Sequence, residues 1–176
     1  MSFANRGLRG SVLEEMIGMT NEKYKAQGLC VVEKIPTPIT PVAINKESRT
    51  ITLAYFEKKS SVDYIGVVQG IPICFDAKET RQKSLPLSNI HRHQIEFMEV
   101  FSKQQGIAFM LVHFATLDKC YFLPFEDLKV FWDNAQSGGK KSISHELFNE
   151  EYLIEQKGGQ IRYLDAINTY LEKKEI

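Results

Sequence analysis

The 176-residue chain carries 22 Lys and Arg against 22 Asp and Glu, so its formal net charge is zero. With 43% hydrophobic and 25% charged residues it has the composition of one soluble globular domain, and no apolar run approaches the ~20 residues a membrane span requires. The basic excess that marks a dedicated nucleic-acid binder is missing, so any such contact must come from local clusters.

Residues 1–9 read as a flexible arm. The opening MSFANRGLRG has two arginines but no apolar stretch behind them, which predicts no signal peptide. Ser11 is a suitable N-cap for a helix whose Leu13, Met16, Ile17, Thr20 and Tyr24 share one face, and Gly28 ends it. LCVVEK (29–34) reads as a strand. Pro36, Pro38 and Pro41 then forbid helix and central strand. RTITLAYFEKK (49–59) alternates as a strand, so residues 35–60 form a two-stranded excursion outside the core. A hairpin follows at 60–80. After a polar connection, Ser88 or Asn89 is the expected cap of a helix running to about Gln105, with Ile90, Phe97, Met98 and Phe101 inward. IAFMLVHF and CYFLPF are strand-length apolar runs, FEDLKVFWD a short amphipathic helix, QSGGKKSIS a basic glycine-containing loop, and RYLDAINTYLEKKE a closing amphipathic helix. The pattern predicts an α/β layer fold with a mixed sheet. Cys30, Cys74 and Cys120 lie scattered in apolar runs and read as buried thiols of a reducing compartment, with the cytoplasm as the expected location.

The stretch SSVDYIGVVQGIPICFDAKET sets two carboxylates and an ammonium into apolar strands. If Gln69-Gly70 is a two-residue turn with glycine at positive φ, Val68 pairs with Ile71 and Asp63 faces Asp76. Tyr64, Val68, Ile71, Ile73, Phe75 and Ala77 then form a core face. Ser61, Asp63, Asp76 and Lys78 form the other. Like charges directly opposed destabilise a sheet, and a shared proton or a bound cation would relieve them. Mg²⁺ takes one or two carboxylates plus waters and phosphate oxygens, which suits this pair. A divalent ion can generate a nucleophile from water and stabilise in-line phosphoryl displacement, and Lys78 would sit beside it. The competing reading is a solvated acidic face neutralised by Lys78. A longer turn would also break the register.

AYFEKKSSVDYIGVVQGIPICFDAKET, followed by PLSNIHRHQIEFM, resembles the RecU family of Holliday junction resolvases. NRG, LEEMIGMTNEKY, KIPTP, FWD and GKKSI fall in the family's order, and the likeness runs from about Asn5 to Ser144. The resemblance implies a restriction-endonuclease-like fold, a mixed β-sheet flanked by helices with a protruding two-stranded stalk at about 35–60. It implies a homodimer that nicks four-way DNA junctions symmetrically with Mg²⁺ or Mn²⁺, leaving 5′-phosphates. Asp63 and Asp76 match the acidic positions of the nuclease motif and Lys78 its lysine. Ser61 stands where the family usually has threonine near the metal, and Gln94 matches a glutamine at the metal site. The family's FEAKE reads FDAKE here, which keeps the carboxylate. On the first helix, Glu14 is the candidate supporting acid, Glu15 its alternative, and a solvated helix face the competing account of both.

Candidate phosphate contacts are Arg6 and Arg9 on the arm, Lys34, Lys46 and Arg49 on the stalk, and Lys140 and Lys141 beside Gly138 and Gly139. Each is individually more often a solvated charge. Phosphate contacts give affinity and salt dependence without base specificity, which suits recognition of branch shape. His91 and His93 point to different sides of a helix and are poor joint ligands, and His113 reads as a sheet histidine. The expected partners are a four-way junction, a second copy of the chain, and recombinase and branch-migration machinery. Two alternatives stand: a nuclease of the same fold for other branched or duplex DNA, and a non-catalytic junction-binding or recombinase-modulating protein.

Overall fold

The computed structural model describes residues 12–57 and 61–174. The expected cap Ser11 and the arm with Arg6 and Arg9 lie outside the described residues. In chain order the elements are α1 (Val12–Ala26), β1 (Cys30–Lys34), β2 (Ile39–Asn45), β3 (Thr50–Phe56), β4 (Tyr64–Val68), β5 (Ile71–Thr80), β6 (Ser84–Pro86), α2 (Arg92–Lys103), β7 (Ile107–Phe114), β8 (Lys119–Pro124), α3 (Phe125–Gln136), β9 (Ser142–Ser144), β10 (Leu153–Ile154), β11 (Gln156–Lys157), β12 (Gln160–Ile161) and α4 (Tyr163–Lys174).

Six strands form the central sheet in the order β1-β4-β5-β7-β8-β10. β5 and β7 run parallel, and the other neighbours are antiparallel. The sheet is therefore mixed, and helices cover both of its faces. On one face α1 (Leu13, Ile17, Tyr24) and α4 (Tyr163, Ala166, Ile167, Tyr170) pack on Tyr64, Ile73, Phe75, Phe109 and Phe122. On the other, α2 (Ile95, Met98) and α3 (Phe125, Leu128, Ala135) pack on Cys74, Ala108, Met110, Val112 and Tyr121. Double coverage explains why IAFMLVHF shows no alternation. All of β7 is buried, as expected of a strand sandwiched between two helical layers.

The β4–β5 hairpin has the register expected of a two-residue turn. Tyr64 pairs with Phe75 and Val68 with Ile71, while Gln69 and Gly70 both take positive φ, 48° and 87°, as a type I′ turn requires. On its other side β4 meets β1 closely. A Cβ on Gly66 would stand 2.2 Å from the Val31 carbonyl oxygen, so only glycine fits there.

β2 and β3 pair antiparallel as a ribbon separate from the central sheet. All seven residues of β2 are exposed and only Ala54 of β3 is partly covered. This is the expected two-stranded stalk. The second helix differs from expectation at its start. Ser88 and Asn89 belong to a 3₁₀ turn, and α2 begins at Arg92 with His91 as N-cap. There the Gln94 side chain accepts from the His91 amide at 2.9 Å while the Gln94 amide donates to the His91 carbonyl at 3.0 Å, so the glutamine supplies the N3 half of a capping box. The three cysteines are free and buried, as expected. Burial pushes the Cys74 and Cys120 thiols up to about 12, so neither is poised as a nucleophile.

Candidate active site

β5 is ten residues long and β4 only five. Their pairing stops at Tyr64 and Phe75, whereas β7 continues beside β5 as far as Thr80. Residues 76–80 thus have a strand on one flank only among the described residues. On the other flank the chain departs toward the stalk. Asp76 and Lys78 sit on this one-sided stretch, and Asp63 stands at the point of departure.

Asp63 and Asp76 meet there. The Asp63 amide donates to Asp76 Oδ1 at 3.2 Å, which continues the hairpin register by one step. Asp76 is 0% exposed, and its Oδ2 accepts from the Lys78 ammonium. The Lys78 side chain is itself 16% exposed. Asp76 is therefore not on a solvated face, although Lys78 neutralises it as that reading expected. The second face of the hairpin is an interior face under α2, and Asp76 lies on it beside Cys74. A carboxylate withdrawn from water needs a cation or several donors to offset its desolvation, and Lys78 supplies the first.

Ser61 is half-buried, and its hydroxyl donates weakly to the Val62 carbonyl at 3.4 Å. With Asp63 it lines a groove of about 270 Å³ under the stalk, whose other walls are Ile35, Pro36, Thr37, Pro38 and Val62. Gln94 is 4% exposed in the first turn of α2. Its Oε1 accepts from the His91 amide at 2.9 Å, so its carbonyl already serves the helix cap. Glu14 lies in the first turn of α1 and accepts from Lys34 Nζ at 2.9 Å. Lys34 ends β1 directly beside Tyr64. This pairing ties two expected site residues into one ion pair, a link that their spacing in the chain does not reveal.

The remaining basic candidates divide. Lys46 and Arg49 occupy the turn at the stalk tip, both exposed, with Arg49 at φ 53°. Lys140 is exposed. The Lys141 ammonium turns back onto the Ala135 carbonyl in the last turn of α3, which the Gly138 amide also reaches, and so sets a cation at the helix C-terminus. His91 and His93 do not point to different sides of a helix as expected: His91 is the N-cap outside α2, and the two rings stack with centroids 5.4 Å apart. His113 is a buried sheet residue whose Nδ1 lies 3.1 Å from Glu79.

Tyr64 was expected only as a core residue. It is 1% exposed, and its hydroxyl has no hydrogen-bond partner among the described residues. Burial, and then the carboxylates of Glu14, Asp63 and Asp76, push its ionisation well above the ordinary phenol range. Its position next to Asp63, opposite Lys34, was the available signal.

The donor set suits a hard divalent ion. Asp76 is a buried carboxylate that the Asp63 main chain abuts at the open flank of β5, and among the described residues its cationic partner is Lys78. Among the described residues no cluster of three or more His, Cys, Asp or Glu converges.

The family model for RecU, recombination protein U, matches residues 8–169. The chain is 44% identical over 177 residues to the Holliday junction resolvase RecU of Streptococcus pneumoniae serotype 19F (strain G54), covering 97% of this chain and 86% of that protein. It is 42% identical over 172 residues to the Holliday junction resolvase RecU of Pediococcus pentosaceus, covering 94% and 86%.

Proposed function

The chain belongs to the RecU family, and from that membership we propose that it is a Holliday junction resolvase, a metal-dependent endonuclease that nicks four-way DNA junctions. The observation that carries the reading is the buried Asp76 carboxylate, bonded to Lys78 and abutting Asp63 where β5 loses its β4 neighbour.

Asp63 and Asp76 would hold Mg²⁺ or Mn²⁺, with Gln94 and Ser61 beside them and Glu14 in support. The ion, when bound, supplies Lewis-acid stabilisation of charge on the scissile phosphate and activates water at neutral pH. Lys78 does the rest of the electrostatic work. Its ammonium, held by Asp76, faces the open flank and offsets charge developing on the phosphodiester oxygens. The exposed stalk carries Lys46 and Arg49 outward, where they meet backbone phosphates without reading bases. Acting as a homodimer, two such sites about a two-fold axis would cut two strands of like polarity, so protein symmetry mirrors junction symmetry. A cytoplasmic setting alongside recombinase and branch-migration machinery follows from this role.

The test is cleavage of four-way, three-way, flap and linear DNA at one salt concentration, with Mg²⁺ and with EDTA, by wild type, Asp63→Ala and Asp76→Asn. Wild type should cut the four-way junction preferentially and only with metal. Each variant should lose about 10³-fold or more in rate, the several kcal/mol that metal-ion stabilisation provides, while still binding the junction. Asp76→Asn cutting at the wild-type rate would remove the site. Equal cutting of linear DNA would remove the junction selectivity.

A further inference from the structure

We propose that Tyr64 is a positioning residue of this site, and that its buried hydroxyl orients the Glu14 carboxylate toward Asp63 and Asp76 when the site is loaded. The inference rests on the metal-dependent reading above and extends it to a residue outside the acid–lysine motif.

Three features of the structure converge on it. The Tyr64 ring is immobilised, stacked on Phe75 with centroids 4.6 Å apart and planes 9° from parallel, so the hydroxyl cannot swing away to find an acceptor. That hydroxyl is a buried donor with no partner among the described residues, a state that carries an uncompensated desolvation penalty and is uncommon in folded proteins. An acceptor is placed on the same side: Glu14 accepts from Lys34 at 2.9 Å, and Lys34 is the direct cross-strand neighbour of Tyr64.

Glu14 is engaged by Lys34 at 2.9 Å, and both side chains are well exposed, 32% and 51%. An ion pair in that setting is weak, so it is the element that can yield. Lys34 and Tyr64 are direct neighbours across β1 and β4. One carboxylate therefore has two donors beside it, a solvated ammonium and a desolvated hydroxyl. In the metal-free protein Glu14 takes the ammonium. With a cation at the carboxylate pair, Glu14 is drawn inward, accepts from Tyr64, and leaves Lys34 for a DNA phosphate. A phenol serves this task because it donates a hydrogen bond without adding a positive charge that would oppose the cation.

The experiment titrates Mn²⁺ alone into the full-length protein and reads free Mn²⁺ by electron paramagnetic resonance, for wild type, Tyr64→Phe, Glu14→Ala and the double variant. Melting temperatures are recorded in EDTA. Tyr64→Phe conserves the ring and removes only the orphan donor, so in EDTA it should melt at or above wild type. Its Mn²⁺ dissociation constant should rise about 10- to 100-fold, the worth of one hydrogen bond to a charged acceptor. In the Glu14→Ala background the Tyr64→Phe change should add nothing. Unchanged Mn²⁺ affinity, a lower melting temperature in EDTA, or a full additional loss on top of Glu14→Ala would each overturn the role of Tyr64 while leaving the metal site standing. Asp76→Asn is the control. If it takes up Mn²⁺ like wild type, or if wild type takes up none, the metal-dependent reading itself falls and the Tyr64 role with it.

Discussion

Replacing Lys78 with Met keeps the aliphatic stem and removes the ammonium from Asp76. Asp76 is 0% exposed, and its remaining hydrogen bond among the described residues would be the Asp63 amide at 3.2 Å. Taking one partner from a buried ion pair costs about 3–5 kcal/mol, because the other charge stays desolvated and uncompensated. The Lys78 side chain retains 16% exposure, so water can enter part of the vacated space and the lower figure, about 3 kcal/mol, applies. For a chain of this size about 2–4 °C in melting temperature corresponds to each kcal/mol, so Lys78→Met should melt roughly 6–12 °C below wild type in EDTA. Two further outcomes separate charge from packing. Asp76→Asn/Lys78→Met should recover most of the loss, since the anion is gone. Mg²⁺ should raise the melting temperature of Lys78→Met more than that of wild type, because no ammonium competes for Asp76, and ten times the dissociation constant stabilises by about 1.4 kcal/mol. The assay is differential scanning calorimetry with and without metal. A Lys78→Met protein that melts within about 2 °C of wild type in EDTA would refute the premise that Lys78 compensates a desolvated carboxylate.

The stalk tip should reveal itself through salt. If Lys46 and Arg49 each neutralise one phosphate, Lys46→Ala/Arg49→Ala should lower the slope of log affinity against log salt by about 1.8 on a four-way junction, measured by fluorescence anisotropy in EDTA, and an unchanged slope would take the tip out of contact. A pH effect is expected far from the site. Burial pushes Glu126 up, but hydrogen bonds from the Lys174 ammonium and the Tyr170 hydroxyl outweigh it and hold the carboxyl below its usual range. A depressed folded pKa contributes stability above the unfolded value of about 4.3 and loses it as pH falls through the folded value. Glu126→Gln should thus be less stable than wild type at pH 7 by urea unfolding, with the gap closing below about pH 4. A gap that stays constant through that range would contradict the assignment.

Much of this architecture is readable from the chain because local signals are strong. Gln69-Gly70 sets a two-residue turn, which fixes every pair of the β4–β5 hairpin and hence the meeting of Asp63 with Asp76. The prolines after Lys34 keep the stalk out of the sheet. What could not be read locally is coverage. Nothing in residues 60–80 says that α2, beginning twelve residues beyond Thr80 at Arg92, folds over the acidic face, so Asp76 looks solvated when it is buried. His91 as N-cap was missed for a related reason. Ser88 and Asn89 are the better capping residues by intrinsic preference, but the 3₁₀ turn at Leu87–Asn89 consumes them and moves the helix start onward. The short β9–β12 segments escape periodicity altogether, because two or three residues cannot display a period.

The convergence of the site follows from strand directions. β1 and β4 are antiparallel, so the last residue of β1, Lys34, lies beside the first residue of β4, Tyr64. β4 and β5 are antiparallel, so the chain just before β4, carrying Asp63, meets β5 at Asp76. β5 then runs on past β4 because its parallel partner β7 continues to satisfy its other flank. The stalk departs and returns at the same end, between Lys34 and Asp63, which both removes a sheet neighbour from β5 and brings the stalk base to the edge of the opening. Continuous pairing of β4 along residues 76–80 would have closed that opening and left Asp76 and Lys78 as an inert internal pair. The early end of β4 leaves Asp63 and Lys78 partly exposed, and the parallel strand β7 keeps the other side of β5 fixed.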